Sequence, residues 1–222
     1  MKERSPTLSI RFQGSLACFT RPEFKTERVS YPVMTPSAAR GAIEAVLWKP
    51  AIRWRVEQVH VLAPISFVSF RRNEVNSRVP TDSVKSAVKG ADLTEYLADE
   101  DRAQRNTVAL RDVDYVVDAS FALTAAAGPG DNVAKFIDMF DRRVAKGQAF
   151  HQPYLGCREF VADFGPADGP PRTIEDTVDL GIMLLDVDHD GDHQARFFEA
   201  RLERGVLKVP PTGLGEVNRD AR

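Results

Sequence analysis

From Asp112 to Leu123 the chain alternates without a break. Val113, Tyr115, Val117, Ala119, Phe121 and Leu123 fall on one side, and Asp112, Asp114, Val116, Asp118, Ser120 and Ala122 on the other. A period of two over that length predicts a strand with one buried face, so the fold must be built around a sheet. Leu8, Ile10 and Phe12 alternate with Ser9, Arg11 and Gln13 and predict a second strand. Ile52, Trp54 and Val56 predict a third. Its phase shifts at Gln58, with Val59 and Val61 continuing on the other parity, which predicts a bulge.

Two helices fit between these strands. Thr35-Pro36 supplies a cap and a first-position proline, and the helix they open runs to about Trp48, before Pro50. Ala39, Ala42, Ile43 and Val46 share one face of it, Arg40 and Glu44 lie off that face, and Leu47 falls at its edge. After Gly128-Pro129-Gly130, the spacing of Val133, Phe136, Ile137, Phe140 and Val144 predicts the second helix, stopped by Gly147. A strand is expected over Cys157 to Phe164.

The order is β-α-β-loop-β-α-β. It predicts an α+β protein of ferredoxin-like (RRM-like) topology over residues 1–164, with a polar insertion at 72–106 that holds a short helix around Leu93 to Leu97. A Pro/Gly-rich linker, Gly165 to Pro171, leads to a small C-terminal antiparallel β domain over 172–222. Its strands fall at 181–185, 197–202 and 206–209, and Arg204-Gly205 is the turn between the last two.

Composition narrows the function. With 222 residues, 43% hydrophobic and 28% charged, the chain reads as an ordinary soluble globular protein. No apolar run is long enough for a membrane span, and the first residues hold no apolar signal core, so a cytoplasmic protein is expected. Cys18 and Cys157 are too few for a disulfide framework or a thiolate metal cage and read as core residues. Asp186-Val187-Asp188-His189-Asp190-Gly191 starts like a calcium loop, but the acid wanted at its twelfth position is Phe197. A solvated acidic turn is the better reading there, even with His189 and His193 beside it, and no metal site is expected.

The net charge of −2 hides an asymmetry. Met1 to Arg72 holds 12 Lys and Arg against 5 Asp and Glu; totals of 30 and 32 leave 18 against 27 for the remainder. Arg21, Lys25, Arg28, Arg40, Lys49, Arg53, Arg55, Arg71 and Arg72 lie among Tyr31, Trp48, Trp54 and Phe70. Phosphates need cations and splayed bases need flat faces, so the set points to nucleic-acid binding. The alternative makes each aromatic a core residue and each arginine a solvated one.

Four stretches carry a resemblance. They are Cys18-Phe-Thr-Arg-Pro-Glu-Phe-Lys, Tyr31-Pro-Val-Met-Thr-Pro-Ser-Ala-Ala-Arg-Gly, Trp48-Lys-Pro-Ala-Ile-Arg-Trp and Gln152-Pro-Tyr-Leu-Gly-Cys-Arg-Glu-Phe. Arg71-Arg-Asn-Glu-Val and Gln104-Arg-Asn-Thr fit as well. From Leu8 to Val209 the chain resembles the fifth Cas family of CRISPR systems, subtype I-C, within the repeat-associated RNA-binding superfamily. That resemblance implies cleavage of the CRISPR precursor transcript at each repeat, without a metal or other cofactor. It also implies retention on the 5′ handle of the guide RNA, beside the other subunits of the type I-C complex. A base would take the 2′-hydroxyl proton, an acid would protonate the leaving 5′-oxygen, and a cation would steady the phosphorane, leaving a 2′,3′-cyclic phosphate.

The family's proposed catalytic set is a tyrosine before the Trp-Lys-Pro and a Lys-His pair at the head of the second helix. Those positions here are Leu47, Lys135 and Phe136. Leucine and phenylalanine carry no transferable proton. Three readings stay open: cleavage with Lys135 as the cation and Tyr31, His151 or Tyr154 as proton carriers; a guide-RNA-binding subunit without cleavage; and a basic face that also takes duplex DNA. The expected catalytic residues are Lys135, Tyr31 and His151. The expected RNA-binding residues are Arg21, Arg40, Arg71, Arg72, Arg105 and Arg158.

Overall fold

The structure is a computed structural model that describes residues 3–24, 26–77, 80–91, 97–187 and 194–214. Twelve elements follow in order: β1 (Leu8–Ala17), β2 (Arg28–Val29), α1 (Pro36–Val46), β3 (Ile52–Val61), β4 (Phe67–Val75), α2 (Thr81–Val88), β5 (Arg102–Leu123), α3 (Val133–Ala145), β6 (Asp163–Pro166), β7 (Val178–Val187), β8 (Ala195–Glu203) and β9 (Val206–Lys208). They make a mixed α and β fold with one large, mainly antiparallel sheet and few helices. The path across the sheet is β6-β1-β5-β3-β9-β8-β7, and β2 and β4 both pair with β5. None of the helices described is long and apolar enough to cross a membrane.

The long alternation is the centre of this sheet, and the strand is longer than the alternation. It bends at Asp112, whose φ of 51° sits in the left-handed region. Beyond that bend, β5 is sandwiched between β1 and β3, where Tyr115, Val117, Ala119 and Phe121 are buried. Before it, β5 pairs with β4 from Phe67↔Leu110 to Val75↔Arg102. The polar stretch 72–106 therefore carries more regular structure than one short helix. It holds the end of β4, the exposed helix α2 and the start of β5. This arm is half-exposed along β4, so it never needed the apolar alternation that marks a core strand. Most of the helix expected at Leu93–Leu97 lies outside the described residues.

The local signals in the core hold. Thr35 Oγ1 accepts a hydrogen bond from the Ala38 N–H, and Pro36 occupies the first turn of α1. The helix ends at Val46, two residues short of Trp48. Leu47 turns extended and is completely buried rather than marginal, and its carbonyl accepts from Trp54 Nε1 at 2.8 Å. The β3 bulge falls between Val56 and Gln58, so Val56 and Val59 both face the core. Asn132 Oδ1 accepts from the Lys135 N–H to cap α3, and Gly147, at φ 61°, ends it. Trp54 packs on Phe140 with centroids 5.0 Å apart, and Phe121 meets Phe136 edge-on at 6.2 Å. These contacts fasten α3 to the sheet.

Two readings need correction. The strand expected from Cys157 begins at Asp163, because Gly156, at φ 83°, and a turn closed by Phe160 N–H donating to the Cys157 carbonyl occupy the first half. The strand then runs through Pro166, which has no N–H to give and sits on the sheet edge, inside the supposed linker. The C-terminal strands form the expected antiparallel unit, with Arg204 and Gly205 both at positive φ in the β8–β9 turn. They are joined to the rest, since β9 pairs with β3.

The sheet face away from α1 and α3 is a polar ladder. Arg11 donates to Asp114 through Nε and Nη2 at 2.9 and 2.6 Å, Ser9 and His60 meet Asp118 at 2.6 and 2.8 Å, and Ser120 donates to Glu57 at 2.6 Å. These side chains bond one another.

Candidate nucleic-acid interface

The outer face of α1 forms one wall of a cleft of about 600 Å³. Arg40, Glu44, Trp48 and Lys49 come from α1 and its C-terminal extension, Arg53 from β3, and Asp186 and Arg196 from β7 and β8. Gly41 leaves open space where a side chain would stand. Arg40 donates through Nη2 to Asp186 Oδ1 at 2.7 Å and lies 3.9 Å from Glu44, while its Nε is buried with no acceptor. Among the described residues, four cations thus line the cleft with two carboxylates. Ser37, Gly41 and Tyr154 also line a second lobe of about 300 Å³, which extends to Phe19, Thr20 and Gly156.

A second basic region lies where the β4–β5 arm meets the 154–160 turn. Phe70 stands edge-on to Phe160 at 6.4 Å. Arg72 pairs with Glu159 and, at 3.1 Å, with Glu74; Arg28 pairs with the same two carboxylates at 3.0 and 3.5 Å. Burial opposes ionisation of Glu159, but a backbone hydrogen bond, Arg72 and Arg28 together hold its carboxyl below the ordinary value. Arg28 Nη1 also donates to Cys157 Sγ at 3.4 Å. Cys18 and Cys157 are buried, as expected, but they are not inert packing. Hydrogen bonding with Cys18, with help from Arg28, lowers the Cys157 thiol, while the same interaction and burial raise that of Cys18.

The expected RNA-binding residues divide between these regions. Arg40 is in the cleft, and Arg21, beside the second lobe, stacks over the Tyr31 ring at 4.6 Å. Arg72 and Arg105 are opposite one another on the arm, and Arg105 donates to Asn76 at 2.9 Å. Arg71 is exposed on the other face of β4, and Arg158 is exposed in the turn beside Cys157. Lys25, His189, His193 and Asp188 to Gly191 lie outside the described residues. Among the described residues no group of three or more His, Cys, Asp or Glu is placed to hold a metal ion.

The expected catalytic residues hold separate partners. Tyr31 is 1% exposed; burial raises its hydroxyl above the ordinary value, although a hydrogen bond with the Leu184 backbone counters this. Lys135 is exposed at the head of α3, bonded to Asp131 at 2.8 Å and to the Gly130 carbonyl at 3.4 Å. That bond holds the Asp131 carboxyl below the ordinary value. His151 is exposed, and its backbone N–H donates to the Ala45 carbonyl at 3.3 Å, at the end of α1. Phe136, 2% exposed, is core. Asp186 and Arg196 were missed as cleft residues. Asp186 read as part of an acidic turn, and Arg196 has no local signal, since the β7–β8 register alone brings it there.

An antiparallel sheet backed on one side by helices, with a cationic cleft along one of them, defines an α/β protein equipped for a polyanion. Residues 7–210 match the family described as CRISPR-associated protein (Cas_Cas5), and the chain belongs to its Cas5d family. It is 43% identical over 221 residues to a protein of Mannheimia succiniciproducens named CRISPR pre-crRNA endoribonuclease Cas5d, covering 96% of this chain and 98% of that one. A Thermus thermophilus protein of the same name is 38% identical over 231 residues, covering 96% and 95%. A crystal structure described as a CRISPR-associated protein has the same fold, with a TM-score of 0.71 at 20% identity, covering 96% and 95% of the two chains.

Proposed function

We propose that this chain is a metal-independent endoribonuclease that cleaves CRISPR precursor RNA within its repeats. It then stays on the 5′ handle of the guide as a subunit of the type I-C interference complex. The cationic cleft along α1 carries this reading, and the relatives at 43% and 38% identity bear the corresponding name. The strand order β6-β1-β5-β3, with α1 between β1 and β3 and α3 between β5 and β6, supports a ferredoxin-like core over 1–164, with 172–222 as an appended β unit.

In this reading Arg40, Lys49 and Arg53 hold phosphates along the cleft, and Arg21 extends the path. Arg71, Arg105 and Arg158 make a second contact along the arm, which Arg72 fastens through Glu74 and Glu159. His151, at the end of α1, and Tyr154, between the two lobes, are the accessible proton carriers, and Lys135 is the cation for the phosphorane. Tyr31 joins them only by leaving its enclosed position. The burial of Leu47 and Phe136 favours a second reading, a guide-RNA-binding subunit without cleavage.

The test is the purified protein with its own repeat RNA in EDTA, with product ends analysed. One cut at a fixed position leaving a 2′,3′-cyclic phosphate is the expected result. Tight binding without a cut establishes the second reading, and neither binding nor cleavage overturns both.

A further inference from the structure

Among the described residues, Phe150 and Trp48 are the most exposed phenylalanine and tryptophan rings, ahead of Phe67 and Phe24 at 47% and 46%. Trp54 is 3% exposed, whereas Trp48 is 54% and Phe150 74% exposed. Neither exposure comes from a loose backbone. Leu47, before Trp48, donates its N–H to the Ile43 carbonyl at 2.9 Å and accepts from Trp54 Nε1 at 2.8 Å. Lys49, after it, accepts from the Ile52 N–H at 3.1 Å, and Pro50 accepts from Thr124 Oγ1 at 2.6 Å. Phe150 is fastened to the same helix end, its N–H donating to the Ala45 carbonyl at 2.8 Å. Two large apolar rings are thus held out of the core by backbone that is tied down on both sides.

We propose that Trp48 and Phe150 are stacking sites for unpaired nucleobases at the C-terminal end of α1, where Lys49, Arg40 and Arg53 receive the neighbouring phosphates. This rests on the RNA-binding reading of the cleft and adds what that reading lacks, a surface for bases. Trp48 lines the cleft beside those three cations, so a ring face and phosphate-binding groups lie within one single strand's reach. The opposite sheet face offers no such surface, since the one ring that β1, β3 and β5 direct there, His60, is held by Asp118 at 2.8 Å. A duplex keeps its bases stacked on each other, so the site selects single strands.

The experiment reads tryptophan emission of the full chain on adding a short single-stranded RNA of the repeat sequence, with filter binding in parallel. Trp54 is buried, so a change on binding reports Trp48. Quenching by the single strand is expected, and none by a perfectly paired duplex. Trp48→Ala should weaken single-strand binding roughly 5- to 100-fold and abolish the quench, Phe150→Ala should weaken it less, and Trp48→Phe should retain most of the affinity. RNA retained on the filter without quenching, with Trp48→Ala binding like the parent chain, overturns the stacking site while leaving the cleft reading intact. Loss of cleavage with quenching intact would count against the nuclease reading only.

Discussion

The α1 cleft and the β4–β5 arm hold similar numbers of arginines and put them to different uses. Among the described residues, Arg40, Lys49, Arg53 and Arg196 line the cleft with Glu44 and Asp186, four cations to two carboxylates. At the base of the arm, Arg28 and Arg72 face Glu74 and Glu159, and nothing is left over. In the proposed reading the cleft is a surface for another molecule's anions. The network is an internal fastening that ties the arm to the 154–160 turn. Basic residues counted along a sequence therefore overstate the charge offered to a ligand, because carboxylates remote in sequence claim part of it.

That contrast can be broken at several points. The largest effect is expected from His151→Ala, which should slow RNA cleavage about 10²- to 10⁴-fold in single-turnover assays while leaving RNA affinity unchanged. Equal loss of affinity would make His151 a binding group instead. Next, Arg40→Ala/Lys49→Ala/Arg53→Ala should cost roughly 100-fold in affinity. It should also flatten the dependence of log K on log salt by about 2, near 0.7 per lost contact on a single strand. Arg28→Ala/Arg72→Ala should change affinity by no more than about 3-fold. If the two multiple variants lose affinity equally, the distinction between the regions fails.

Stability should show the reverse pattern. Arg72→Ala should destabilise by about 1 kcal/mol at neutral pH, a modest value because Glu159 is 42% exposed and solvent screens the pair. The folded protein holds the Glu159 carboxyl below its ordinary 4.5, so the pair's stabilisation is full above that value and fades as the pH falls through the depressed one. Urea unfolding of both proteins across acid pH should show the difference shrinking toward zero. The smallest effect is expected at Gly41. Gly41→Ala should raise stability by about 0.5–1 kcal/mol, since the helix gains a better residue and the methyl meets nothing within 4 Å. The same methyl projects into the cleft and should weaken RNA binding slightly.

What could be read from the sequence was whatever short-range chemistry dictates. The alternation around Tyr115 and Val117, the Thr35-Pro36 start, the bulge after Val56, the Gly147 stop and the Arg204-Gly205 turn depend on a few neighbouring residues, and all are in the structure. Family membership was also legible, because it rests on motifs contiguous in the chain. Tertiary structure alone decided the rest. The arm was hidden because a half-exposed hairpin needs no apolar period, and the strand expected at Cys157 gave way to a turn that Gly156 permits. Arg72 and Arg40 look alike in sequence. Only the fold brings Glu159 to one and a cleft to the other, because electrostatic partners are chosen by distance in space, and sequence records distance along the chain.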